Sequence, residues 1–173
     1  MAKAKTVTKK KTARKTTAKG SAKAHPLFTI GYEQATLPAV LRELIRAKVK
    51  LLIDTRAVAA SRRFGFSKRQ LAAALDEQGI GYLHLQKLGT PAEGREAARA
   101  GDLDTLWRVY GKHIKTAEAQ EALDELVTLT KSGTRIALLC YCRDPNACHR
   151  SRIVAAVKER MRLKVEDLIP ALF

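Results

Sequence analysis

The chain has 173 residues, enough for one compact domain with a real core and a squeeze for two, and 46% of them are hydrophobic. Lys and Arg outnumber Asp and Glu by 33 to 17, an excess that favours polyanionic partners and makes nucleic acid the expected one. No run approaches the roughly 18–20 apolar residues of a membrane span and no apolar signal segment opens the chain, so no membrane partner is expected and the expected location is the cytoplasm.

Residues 1–26 hold nine basic residues and no acidic one, and they are mostly Lys, Ala and Thr. With almost no large apolar side chain they cannot offset the entropy of folding. The expectation is a disordered Lys-rich tail that binds nucleic acid without sequence preference. Residues 27–173 still carry 24 basic against 17 acidic residues, and their patterning points to a single α/β domain.

After Pro26 short apolar runs alternate with amphipathic helices, the pattern of βα units. Leu27 to Ile30 reads as a first strand ending at Gly31. Thr36 then caps a helix to about Lys48 with Val40, Leu41, Leu44 and Ile45 on one face. Leu51 to Ile53 is a continuous apolar run, hence a buried parallel strand, ending at Asp54. Ser67 and Gln70 have capping-box spacing and open a helix that stops at Gly79, before a third strand from Ile80 to Leu85.

Residues 87–101, with Gly89, Pro91, Gly94 and Gly101, read as a long loop, of a length that is often functional or mobile inside a compact domain. Two helices follow, about Asp102 to Ile114 (burying Leu103, Leu106, Trp107 and Tyr110) and about Ala117 to Thr130. Arg135 to Leu139 is the fourth strand, Cys140 to Cys148 a loop, His149 to about Met161 a helix, and Leu163 to Leu168 a last short strand. The order βαβαβααβαβ with right-handed crossovers gives a three-layer, Rossmann-like domain, its mostly parallel sheet carrying helices on both faces. Ligands then belong at the carboxyl ends of the strands, where Tyr32, Asp54, Arg56 and the Cys140 to Arg150 segment all fall.

Cys140, Cys142 and Cys148 lie within nine residues, an odd and tight set unlike a secreted disulfide framework. Cys148, His149 and Arg150 stand at a predicted helix start, where the helix dipole and a neighbouring cation make a thiolate more available. Cys148 and His149 are therefore the candidate nucleophile and acid/base pair, and Cys140 is expected to be buried at a strand end. The same residues offer a zinc-type donor set. Cys-x-Cys with Cys-His five residues on is not a usual zinc spacing, and adjacent side chains at a helix start diverge, so no metal is expected. No cofactor is identified. Asp54-Thr-Arg56 with Ser61-Arg62-Arg63 forms the second constellation: Asp54 orients, and Arg56, Arg62 and Arg150 grip an anion, with Arg56 and Arg150 expected in one pocket.

These residues also carry a resemblance. Phe28-Thr-Ile-Gly-Tyr-Glu33, Leu52-Ile-Asp-Thr-Arg56, Ser61-Arg-Arg-Phe-Gly-Phe-Ser67, Gly79-Ile-Gly-Tyr-Leu-His-Leu85, Leu88-Gly89 and Leu138-Leu-Cys140 through Cys148-His-Arg150 resemble, in order, the domain-of-unknown-function 488 family over about residues 27–168. The resemblance implies an α/β three-layer domain and a site at Tyr32, Asp54, Arg56, Ser61, Arg62, Cys140, Cys148, His149 and Arg150, without supplying a reaction. Cys142 stands where the family usually shows Glu, and Ala59 where it commonly has Pro. The function expected is that of an enzyme or ligand-binding domain acting on an anionic, nucleotide- or nucleic-acid-related substrate at the sheet rim. The alternative is a non-catalytic nucleic-acid-associated module with structural or redox-sensing cysteines.

Overall fold

The structure, a computed structural model, describes residues 25–172. The expectations for residues 1–24 lie outside the described residues. His25 already belongs to the folded body, its Nδ1 accepting a hydrogen bond from Arg135 at 2.9 Å.

Five strands, β1 (Leu27–Gly31), β2 (Leu51–Asp54), β3 (Gly81–His84), β4 (Ile136–Cys140) and β5 (Val165–Leu168), form one all-parallel sheet in the order β3-β2-β4-β1-β5. Its helices are α1 (Leu37–Arg46), α2 (Lys68–Asp76), α3 (Ala92–Ala100), α4 (Leu103–His113), α5 (Ala117–Lys131) and α6 (His149–Arg160). Side chains alternate across each strand, so two cores form. Phe28, Ile30, Leu52 and Leu139 pack with Val40 and Leu44 of α1 and Leu71 and Leu75 of α2 on one face. Leu27, Ile53, Ile136 and Leu138 pack with Tyr110 of α4, Leu123 and Leu126 of α5 and Ile153 and Val157 of α6 on the other. The inner strands β1, β2 and β4 thus read as largely continuous apolar runs because each is covered on both faces. No helix among the described residues is long and apolar enough to cross a membrane.

Thr36 caps α1 as expected, its Oγ1 accepting from the Ala39 N–H at 3.3 Å. The structure differs from the sequence reading at several points. The expected 87–101 loop is instead a 3-10 turn, Gln86–Leu88, followed by α3. Ala92 to Ala100 is rich in Ala, Glu and Arg, all strong helix formers. Gly94, which suggested a loop, serves close packing, since a Cβ there would stand 2.8 Å from Thr90 Cγ2. Gly101 ends the helix in the left-handed region with φ 75°. The Ser67–Gln70 pair makes no capping box: Ser67 donates to Gln70 Oε1, which also accepts from the Gly65 N–H. Ile45 and Leu103, expected inside, lie at the edges of their helix faces and are exposed.

The order of strands sets the site. The chain passes from β1 over β4 to β2 and on to β3, then returns to insert β4 between β2 and β1. The carboxyl ends of β2, β4 and β1 therefore meet at a topological switch point, where parallel sheets open a crevice. There the loop after β4 crosses directly over Gly31, and a methyl group on Gly31 would run into the Cys142 carbonyl. Gly31→Ala should destabilise the fold by about 1–3 kcal/mol through overpacking. Urea denaturation would read this as a lower midpoint with an unchanged slope; an unchanged midpoint would show that the loop yields freely.

Candidate functional site: a buried thiol centre at the sheet switch point

Cys140 is the last residue of β4 and Cys148 the N-cap of α6, with Cys142 between them on the connecting loop. All three are free, and their sulfurs lie within 4.8 Å of one another. His149 Nδ1 stands 3.5 Å from the Cys140 sulfur and 3.8 Å from that of Cys148. The expected divergence of Cys148 and His149 does not occur, because the extended N-cap backbone (φ −127°) turns the sulfur back toward the ring.

The ring orientation can be deduced. His149 Nε2 lies 3.0 Å from the Thr55 carbonyl oxygen and 3.1 Å from Thr55 Oγ1. The carbonyl can only accept, and the Thr55 hydroxyl already gives its hydrogen to the Leu139 carbonyl at 2.9 Å. Nε2 must therefore carry a proton, which leaves Nδ1 free to take one from a thiol. Thr55 was missed in the sequence, although as the middle residue of Asp54-Thr-Arg56 its strand alternation turns it to the face opposite its neighbours.

The Arg150 side chain, 1% exposed, closes the centre. Its Nε donates to the Cys148 sulfur at 3.2 Å, one terminal nitrogen to Thr29 Oγ1 at 3.4 Å, and the other to the Cys142 and Arg143 carbonyls at 2.6 and 3.5 Å. Among the described residues no carboxylate forms an ion pair with it. Burial pushes the Cys148 thiol up, but hydrogen bonds from the Cys140 and Cys142 thiols and the charge on His149 outweigh burial and hold it well below the usual thiol range. Hydrogen bonding to Cys140 and Cys148, with burial, pushes Cys142 up. Cys142 pulls Cys140 down, yet the bond to Cys148 and burial leave it raised. These opposed directions favour loss of the proton from Cys148 before Cys140 or Cys142, whose thiols are its donors. Three sulfurs this close together also offer a donor set that a soft ion such as zinc accepts.

Access differs from expectation. Cys140 is buried, as the apolar run before it implied, but Cys148 is more so, at 1% against 5%. Cys142 is the half-exposed sulfur. Helix α6 packs its first turn against the sheet, and the Tyr110 ring lies 5.3 Å from that of His149. Beside the loop a concavity of about 390 Å³ is lined by Glu33, Gln34, Arg143, Asp144, Pro145 and Ile169.

Asp54 and Arg56 sit at the same end of the sheet but on the other face. Asp54 is fully buried; Oδ1 accepts from the Arg56 backbone N–H and Nε at 3.1 and 2.8 Å, and Oδ2 from an Arg56 terminal nitrogen and the Tyr82 hydroxyl at 2.6 and 2.7 Å. Burial and the bond to Asp54 raise the Tyr82 phenol above its ordinary range. The remaining Arg56 nitrogen donates to Tyr32 Oη and the Phe66 carbonyl at 2.8 and 2.9 Å. Four of the five guanidinium hydrogens are thereby engaged by the protein. Arg56 and Arg150 do not line one pocket: Arg56 belongs with the core of Tyr32 and Phe66, whereas Arg150 lies against Thr29, which alternation turns to the opposite face. Tyr32 is stacked on Phe66 with centroids 4.1 Å apart. Ser61 Oγ accepts from the Arg63 N–H at 3.2 Å within its own loop, and Arg62 is exposed. His84 donates from Nε2 to the Arg56 carbonyl at 2.8 Å and supports the pair.

The family model for a domain of unknown function, DUF488, matches residues 36–157. The match takes in Asp54, Arg56 and the whole thiol centre. No curated protein and no solved structure matches the chain significantly.

Because Asp54 is a buried acceptor whose oxygens are all engaged, Asp54→Asn should cost about 3–5 kcal/mol by leaving Arg56 an unpaired buried charge. Tyr82→Phe, which removes one hydrogen bond to the same carboxylate, should cost about 0.5–1.5 kcal/mol. Denaturation curves that fail to separate the two variants would contradict this account of the pair.

Proposed function

Since this chain belongs to the DUF488 family, a membership that brings a fold and no reaction, we propose from the site itself that it is a thiol-dependent enzyme acting on an anionic, nucleotide-related substrate. Cys148 is its nucleophile, His149 its acid/base and Arg150 a positioning residue. The single observation that carries the reading is Arg150. A cation this buried requires a negative partner inside the protein, and the group at hydrogen-bond distance that can ionise is the Cys148 thiol. The proton that leaves Cys148 is taken by His149 Nδ1, whose other nitrogen is held by the Thr55 carbonyl. Nucleophile, base and orienting acceptor thus follow in the sequence that nucleophilic catalysis requires.

In such a reaction the Cys148 sulfur forms a bond to an electrophilic atom of the substrate. The displaced group leaves with its bonding pair and collects the proton from His149. Asp54 and Arg56 act at a distance, fixing the β2 end that bears Thr55. Tyr32 holds Arg56 from the other side. Ser61 shapes its loop, and Cys140 donates to the thiolate. With Arg56 and Arg150 engaged internally, Arg143, which lines the concavity beside the loop, is the cation offered to an anionic substrate.

The test uses two alkylating probes of similar size, anionic iodoacetate and neutral iodoacetamide, with mass mapping at pH about 6–8, below the ordinary thiol pKa near 8.5. Cys148 should be modified ahead of Cys140, with iodoacetate favoured over iodoacetamide relative to a free cysteine peptide. His149→Ala should slow the reaction by about 10²-fold or more. Labelling of Cys148 no faster than Cys140 would reject the nucleophile, and labelling that appears only after treatment with a chelator would assign the sulfurs to a metal ion instead.

A further inference from the structure

The loop between β2 and α2 carries a feature that the thiol centre does not use. From Thr55 to Leu75 the chain has five basic residues, Arg56, Arg62, Arg63, Lys68 and Arg69, and no acidic one. Arg56 is neutralised by Asp54, whereas Arg62, Lys68 and Arg69 are exposed. In their midst Phe64 is 87% exposed, the most exposed of the large hydrophobic side chains among the described residues.

The loop holds that phenyl ring outward. Phe66, two residues on, is buried and stacked on Tyr32. Arg63 donates to the Ala35 carbonyl at 2.8 Å, Arg56 to the Phe66 carbonyl at 2.9 Å, and the Lys68 N–H to the Ala59 carbonyl at 2.8 Å. Gly65 between the two phenylalanines has φ 86°, and a Cβ there would stand 2.6 Å from Leu37 Cδ2. The chain reverses tightly at Gly65, so that Phe66 is committed to the core while Phe64 faces water on an anchored support. Alongside, a groove of about 530 Å³ is lined by Ala57, Val58, Lys68, Arg69 and His84 among others. Tyr141, also exposed, meets the edge of the Tyr32 ring at 5.4 Å and places a second aromatic on the same end of the sheet.

We propose that this loop is a binding surface for single-stranded nucleic acid, with an unpaired base stacked on Phe64 and the backbone phosphates following Arg62, Lys68 and Arg69. An exposed ring flanked by cations matches the two faces of a single strand, because a base offers a flat apolar surface and the phosphates supply the charge. A duplex hides its bases and offers the phosphates alone. The excess of 33 basic over 17 acidic residues in the chain has the sign that a polyanionic partner needs. The surface does not depend on the thiol chemistry proposed above.

The experiment measures fluorescence anisotropy of labelled oligothymidylate and of a hairpin duplex with the full chain. Phe64→Ala should weaken single-strand binding by about 5- to 100-fold, the effect of losing one stacked base, and change duplex binding by less than about twofold. Its salt dependence should match that of the unaltered chain, since no ionic contact is lost. Arg62→Gln should lower the single-strand salt slope by about 0.7. Phe64→Trp should retain binding and show emission quenched by the single strand beyond any change at Trp107. Cys148→Ser should bind normally, which separates this surface from the thiol reading. Equal single-strand binding by Phe64→Ala, or an equal loss for duplex, overturns the proposal. So does a Phe64→Ala chain that becomes monomeric where the unaltered chain sediments as a dimer, since the ring would then serve a second copy.

Discussion

A guanidinium sealed from water has to find its negative charge and its hydrogen-bond acceptors inside the protein, and Arg150 meets that demand with unusual partners. Its acceptors are a thiol sulfur, the Thr29 hydroxyl and the carbonyls of Cys142 and Arg143. One side chain thereby ties α6, β1 and the loop after β4 to a common point. The loop must cross Gly31 to reach it, which leaves no room for a side chain there. The same constraint favours the ionised form of Cys148, because a charge without a counter-charge in this environment is costly.

The two faces of the sheet divide the work. On one, Asp54, Arg56, Tyr32, Tyr82 and the Phe66 carbonyl form a closed network in which each buried polar side-chain atom has a partner. Such a network fixes geometry and leaves little to offer a ligand. On the other face the sulfurs of Cys140, Cys142 and Cys148 meet His149, and these groups can exchange protons. Thr55 joins the two: its neighbours Asp54 and Arg56 build the first network, while its own carbonyl and hydroxyl orient the imidazole of the second. Rigidity on one face thus becomes precision on the other.

The surroundings are built in the same economical way. The loop leaving β2 is pinned by the closed network at Phe66, and its free side presents Phe64 and exposed cations. The loop leaving β4 is pinned by Arg150, and its free side presents Tyr141 and Arg143. In both, a buried arginine converts a connecting segment into a defined surface.

Much of this was legible in the sequence. Continuous apolar strands alternating with amphipathic helices specify a parallel, doubly covered sheet, because only burial on both faces produces that pattern. The rule that parallel strands point their carboxyl ends one way placed Tyr32, Asp54 and Cys140 on one rim, and the helix start at His149 set Cys148 beside an electropositive end. The α3 helix was hidden by Gly89 and Gly94, which serve close packing, and by Gly101, which ends the helix in the left-handed region, roles that a Cβ-free residue does not announce. Sequence also could not tell which face each rim residue would take, so it grouped Arg56 with Arg150 although alternation along the strands sets them apart. Nor could it show that an N-cap backbone would turn Cys148 toward His149, or that Thr55 would fix the ring. Local pattern determined the elements and the end of the sheet where chemistry gathers. Face, direction and partner were decided by tertiary structure, because they depend on contacts such as Thr55 to His149 between residues 94 positions apart.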